Sequence, residues 1–136
     1  MNTCRRPSAR AGMGKNRKKR MGFTMTVKEI AGQLSLHNWT PDANLDVPVT
    51  GGYAGDMLSW VMGRAECGSV WMTIMSNQNV AAAALMADVS CVVLTENVKP
   101  DDALLKQAQG RGFPLFSSPL STYELSCRLG ALLADK

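Results

Sequence analysis

The chain has 136 residues, 46% of them hydrophobic, and a formal net charge of +4. That length holds one domain with a core of its own, and no apolar run approaches the roughly 18–20 residues that span a bilayer. The charge is divided: residues 1–25 hold eight basic residues and no acid, and the remaining seven basic and eleven acidic residues leave 26–136 at −4, which argues against the folded body as a nucleic-acid surface, since that needs clustered Lys and Arg.

Residues 1–25 lack apolar periodicity and a hydrophobic segment, so they are not a secretory signal. They read as a basic disordered tail or an over-extended gene start, because Met21 and Met25 both sit just before the domain. Nucleic acid is a partner only through this tail. "TVKE" (26–29) is a capping box, with Met25 and Ile30 spaced as a hydrophobic staple, so a helix is expected over about 26–35. "LHNW" alternates as a short strand, and "PDANLDVP" is turn-rich. Residues 47–54 are expected to form a strand ending at Gly51 and Gly52. Asp56 is expected to cap a helix over 57–65, with Leu58, Val61 and Met62 inward.

From Gly68 the rhythm becomes regular. Strands are expected at 69–75, 89–95 and 113–117, and helices at 79–87, 101–110 and 121–136. The helix over 101–110 carries acids in its first turn and Gly110 at its end. Ser121 and Glu124 make a second capping box, followed by the stripe Leu125, Leu129, Leu132 and Leu133. The small residues Ala81 to Ala84 allow close packing, on the sheet by default. Apolar strands alternating with helices specify a single α/β domain, a mostly parallel sheet of about five strands flanked by helices.

In such a sheet ligands sit beyond the carboxyl ends of the strands. Gly51 and Gly52 either offer backbone amides to a phosphate, with the following helix adding its dipole, or simply permit a positive-φ turn. Neither GxxxxGK[ST] nor GxGxxG is present. "TIMSNQNV" (73–80) concentrates Thr73, Ser76, Asn77, Gln78 and Asn79 where a strand meets a helix, more polar side chains than one helix cap needs. No Ser–His–acid set, nucleophile elbow or paired acid/base carboxylates are visible, so no residue is assigned as catalytic. The single histidine, His37, and four cysteines without C-x-x-C spacing give no metal site. The cysteines read as buried reduced thiols of a cytoplasmic protein. Trp39, Trp60 and Trp71 read as core or interface anchors.

From "LDVPVTGGYAGDMLSWVMGRA" through "GSVWMTIMSNQNV" to "FPLFSSPLSTYELSCRL" the chain resembles the stand-alone DRTGG-domain proteins of bacteria, over roughly 26–133. The matching positions are Asp46, Thr50, Gly51, Gly52, Asp56 and Leu58, then Thr73, Asn77 and Asn79, and finally Pro114, Ser117 and Ser121. Val47 stands where the family usually has Arg, and Gln78 where it commonly has His, so two potentially charged groups are missing. The resemblance implies an α/β domain that dimerises. It is also similar to the amino-terminal, P-loop-free domain of HPr kinase/phosphorylase and to domains lying between CBS modules of a regulated pyrophosphatase or within some phosphotransacetylases, where it looks regulatory. Stand-alone members often lie near hydrogenase or redox-sensing genes.

The resulting expectation is a cytoplasmic, non-catalytic regulatory or ligand-binding module, a homodimer with no membrane association and no required cofactor. A small anionic or nucleotide-like ligand, such as a nucleotide or phosphate, would sit at Thr50, Gly51, Gly52, Asp56, Thr73, Asn77 and Asn79. The alternatives are a phosphotransfer enzyme of the serine-kinase type, with Asp56 on magnesium and Arg64 or Arg111 on phosphate, and a protein–protein adaptor.

Overall fold

A computed structural model describes residues 24–134; the expectation for the basic tail falls almost wholly outside them. The element order is α1 (Val27–Leu34), β1 (His37–Asn38), β2 (Gly51–Ala54), α2 (Leu58–Arg64), β3 (Ser69–Thr73), α3 (Asn79–Ala87), β4 (Cys91–Leu94), α4 (Asp102–Arg111), β5 (Leu115–Ser117) and α5 (Thr122–Ala134). The five strands form one sheet in the order β1-β5-β4-β3-β2. β2 to β5 are parallel, and β1 pairs antiparallel with β5.

Each parallel strand joins its neighbour through one helix, always in the same direction. Crossovers of one hand therefore place α2, α3 and α4 on a single face. Val61, Val80, Ala81, Ala84, Leu104 and Ala108 from these helices meet Trp71, Val92, Leu94 and Leu115 from the strands. The opposite face packs Val70, Met72, Cys91, Val93 and Phe116 under Val27 and Ile30 of α1 and Leu125 and Leu129 of α5. Alternation along each strand divides the side chains between the two cores. β3 and β4 are buried along their whole length, so both faces of the sheet are covered.

Local chemistry explains most helix ends. The first capping box forms as expected: Glu29 N donates to Thr26 Oγ1 at 3.2 Å, and Thr26 N donates to Glu29 Oε1 at 3.0 Å. The second forms by half. Glu124 N donates to Ser121 Oγ, but the Glu124 carboxylate turns to Arg128 at 2.9 Å, four residues on. α4 ends at Gly112 in the left-handed region (φ 73) rather than at Gly110. Met62, expected inward, is exposed, while Val61 is buried and Leu58 packs beside it.

The strand expected to end at the glycine pair begins there instead. Val47 and Val49 are tied to the start of α1: Val27 N donates to Val47 O, and Val49 N donates to Met25 O. Neither Gly51 nor Gly52 has positive φ; in this neighbourhood that conformation belongs to Gly68 (φ 87). The reason for glycine at 52 is packing. A Cβ there would lie 2.7 Å from Leu129 Cδ2, so the Leu129 side chain on α5 would have to shift.

The cysteines divide. Cys91 is buried and free, its thiol pushed up to about 12 by burial, so it stays protonated and inert at neutral pH. Cys127 is free but exposed. Cys67 is disulfide-bonded, not the reduced thiol expected there.

Gly52→Ala is expected to destabilise the fold by about 1–3 kcal/mol through overpacking against Leu129. Gly51→Ala, with nothing within 4 Å of the added Cβ, should stay within about 0.5 kcal/mol of wild type. Urea unfolding of the two variants measures the contrast.

Candidate functional site at the carboxyl rim of the sheet

The carboxyl ends of β2, β3, β4 and β5 lie along one rim, and the loops leaving them are laced together. Asp56, just past β2, reaches its neighbour strand: Asp56 Oδ1 accepts from Thr73 Oγ1 at 2.7 Å and from Ile74 N at 3.0 Å. Thr73 Oγ1 in turn accepts from Met75 N. Asp56 is therefore not the cap of α2. Met57 holds that position, with no side-chain hydrogen bond. The carboxylate acts between strands, where its Oδ1 orders the turn after β3.

Next along the rim, Asp101 N donates to Ser76 O, and Asp101 Oδ1 accepts from Leu104 N at 2.8 Å to cap α4. Asn77 Oδ1 accepts from Asn79 N at 2.9 Å. Asn77 thus supplies the cap-like bond at the start of α3, while Gln78 and the Asn79 side chain stay exposed.

β4 and β5 send their chains to opposite faces, α4 on one and α5 on the other. That divergence is the position where open α/β sheets form a crevice. Here it is bridged. Thr95 N donates to Thr73 O. Glu96 N donates to Leu120 O at 2.8 Å, and Asn97 N to Ser118 O at 2.9 Å. Thr122 N donates to Glu96 Oε2, and the Thr95 and Thr122 hydroxyls lie 2.5 Å apart. Glu96 and Asn97 are both left-handed (φ 59 and 63), and Val98 N donates to Thr95 O at 3.0 Å, which makes a type I′ turn. Such consecutive non-glycine residues are held only where surrounding bonds over-determine them.

Asp56, Thr73, Asn77 and Asn79 are thus gathered on one rim. Thr50, Gly51 and Gly52 are not with them. They stand at the amino end of β2, roughly 10 Å of strand away, where Thr50 Oγ1 donates to Cys67 O at 2.8 Å. Ser118, within the hydroxyl-rich "SSPLST" (117–122) that the sequence also places at this edge, and Thr95, Glu96 and Asn97, which sequence reasoning passed over, complete the rim. Their signal was the polar "TEN" directly after an all-apolar strand. Arg64 stacks on Trp60, its Cζ 3.9 Å from the ring centroid, and does not reach the rim in that pose. His37 is exposed and packs edge-on against Trp39, ring centroids 4.7 Å apart. Trp71 is buried with its Nε1–H donated to Gly55 O. Among the described residues no group of three or more His, Cys, Asp or Glu is arranged to hold a metal ion, and no helix is long and apolar enough to cross a membrane.

Fold and rim together define a single three-layer α/β domain with its polar groups collected at strand ends. Its sequence matches the DRTGG domain model over residues 54–132. The chain belongs to the DRTGG-domain family. Among solved structures it is similar to the CBS and DRTGG domains of the regulatory region of a Clostridium perfringens pyrophosphatase, crystallised with the activator diadenosine tetraphosphate. The TM-score is 0.60 at 15% identity, covering 76% of this chain and 45% of that one. The chain thus spans less than half of that structure, and the likeness speaks to the fold. No curated protein matches significantly.

Asp56→Ala removes an ionised acceptor from two donors and is expected to cost about 1.5–3 kcal/mol, as for other hydrogen bonds to charged groups. Asp56→Asn keeps an acceptor oxygen and should cost less. Thermal unfolding of both variants checks the order.

Proposed function

We propose that this protein is a non-catalytic regulatory module that binds a small nucleotide-like ligand at the carboxyl rim of its sheet and works as a dimer. The observation that carries the reading is the rim itself. Bonds between Asp56, Thr73 and Ile74 hold it in shape, while Gln78 and Asn79 face outward. Prepaid ordering of this kind favours binding, because little further freedom is lost when a guest arrives. Carboxamides and hydroxyls suit a base and a ribose. The carboxylates of Asp56, Glu96 and Asp101 repel bare phosphate, so the phosphates of such a ligand would point away from them or carry a divalent cation.

The family supports the regulatory part of the reading. So does a similar fold within the regulatory region of a pyrophosphatase crystallised with a dinucleotide activator. Of the glycine pair, Gly52 has a packing role against Leu129, and Gly51 has none. A phosphotransfer enzyme is disfavoured by the chemistry on the rim, where Asp56, Glu96 and Asp101 outnumber Lys99, the one basic side chain in the loops after the strands. A thermal-shift panel of nucleotides, dinucleoside polyphosphates, acyl phosphates and sugar phosphates tests the proposal. One class should stabilise the protein, by about 2.7 kcal/mol at 100 times its Kd. Asn79→Ala should abolish the shift, and the ligand should be recovered unchanged. Phosphate release would transfer the protein to the enzymes, and silence across the panel to the adaptors.

The dimer finds its support on the outer surface of α2 and α3. Trp60 and Met86 are 51% and 69% exposed, with Met62 and Leu85 also solvent-facing, and large exposed apolar side chains close together mark interaction surfaces. Light scattering at micromolar concentration should report a dimer, and Trp60→Ser combined with Met86→Ser should shift it to monomer.

A further inference from the structure

α3 and α4 lie side by side on the outer face and enclose a groove of about 420 Å³. Its depth has a sequence cause. Ala82 is the outward residue in the middle of α3, and its methyl leaves a depression between Met86 on one side and Gln107 and Arg111 of α4 on the other. The floor is hydrocarbon, from Ala82, Leu85 and Met86. At one end stand the carboxamides of Gln78 and Asn79. Arg111, on the last turn of α4, is the only charged residue in the lining. It is also oriented: its Nε–H donates to Gln107 Oε1 at 3.1 Å, one helical turn back. With Nε engaged in that bond, the two Nη groups remain as donors for an anion.

We infer that this groove is a second binding site, for a small amphipathic anion with a carboxylate head and a short hydrocarbon body. The head pairs with Arg111, and the body covers Ala82, Leu85 and Met86. The volume lies within the range of small-molecule sites, roughly 300–1,000 Å³. An uncharged floor with one cation and no acid among its lining residues selects an anion over a cation, and a hydrophobic body over a fully polar one. The groove shares Gln78 and Asn79 with the rim reading and Leu85 and Met86 with the proposed dimer face, whereas its two decisive residues, Ala82 and Arg111, take part in neither.

Titration of the 15N-labelled full chain with octanoate, followed by amide NMR shifts, tests the inference. Shifts confined to α3 and α4 and saturating in the millimolar range are expected. Arg111→Gln should weaken the apparent affinity about three- to five-fold, the size of an exposed ion pair. Ala82→Phe fills the groove at a solvent-facing position and should abolish the shifts while circular dichroism and thermal midpoint stay at wild-type values. Asp56→Asn, on the rim and outside the groove lining, should leave octanoate binding intact, so the two proposals fail separately. Shifts scattered over the molecule would overturn the assignment. So would octanoate binding indifferent to Arg111→Gln, or an acidic peptide that occupies the same residues while octanoate does not.

Discussion

The whole molecule depends on one constraint: its sheet is covered on both faces. β3 and β4 have no solvent side, so every residue along them is buried and nearly every one is apolar. A polar group placed mid-strand would lose water without gaining a partner. Polar chemistry is therefore pushed to the strand ends, where loops leave the sheet and backbone groups remain unpaired. The rim is what remains after the interior has been sealed.

The same constraint explains the lacing of that rim. Thr73 and Thr95 are buried at the ends of β3 and β4, and a buried hydroxyl needs a partner. Thr73 finds Asp56, and Thr95 finds Thr122. These side-chain bonds and the backbone bonds from Glu96 and Asn97 to the loop after β5 fix one loop against the next. The region that carries the proposed chemistry is thus also the region that holds four strand ends in place. Its ordering is part of the fold.

The three tryptophans show how one residue type serves three environments. Trp71 is core, with its single donor satisfied by Gly55. Trp39 donates to Ser117 Oγ and pins the antiparallel edge strand to β5. Trp60 is spent on neither; it lies on the surface beneath Arg64. A tryptophan on the surface of a small domain leaves apolar area in water and so invites a partner.

Much of the fold was legible in the residues. The capping box at Thr26 and Glu29, the αβ alternation after Gly68, the Leu125–Leu129 stripe and the clustering of polar groups at 73–79 all act through neighbours a few positions apart, and local physics suffices to read them. What depended on distant parts of the chain was not legible. Whether Gly51 and Gly52 close a strand or open it is decided by where Val47 and Val49 are held, which is against the start of α1, and by the approach of Leu129 from the far end of the chain. Asp56 stands one position too early to cap its helix, and only the placement of β3 beside β2 gives its carboxylate Thr73 and Ile74 to bind. Glu124 had two choices within a turn of helix, the Ser121 amide or the Arg128 guanidinium, and took Arg128 over the cap. Periodicity and capping chemistry follow from sequence order because their interactions are short-range; the composition of the rim was decided by sheet register, which brings together residues that nothing in the linear chain connects.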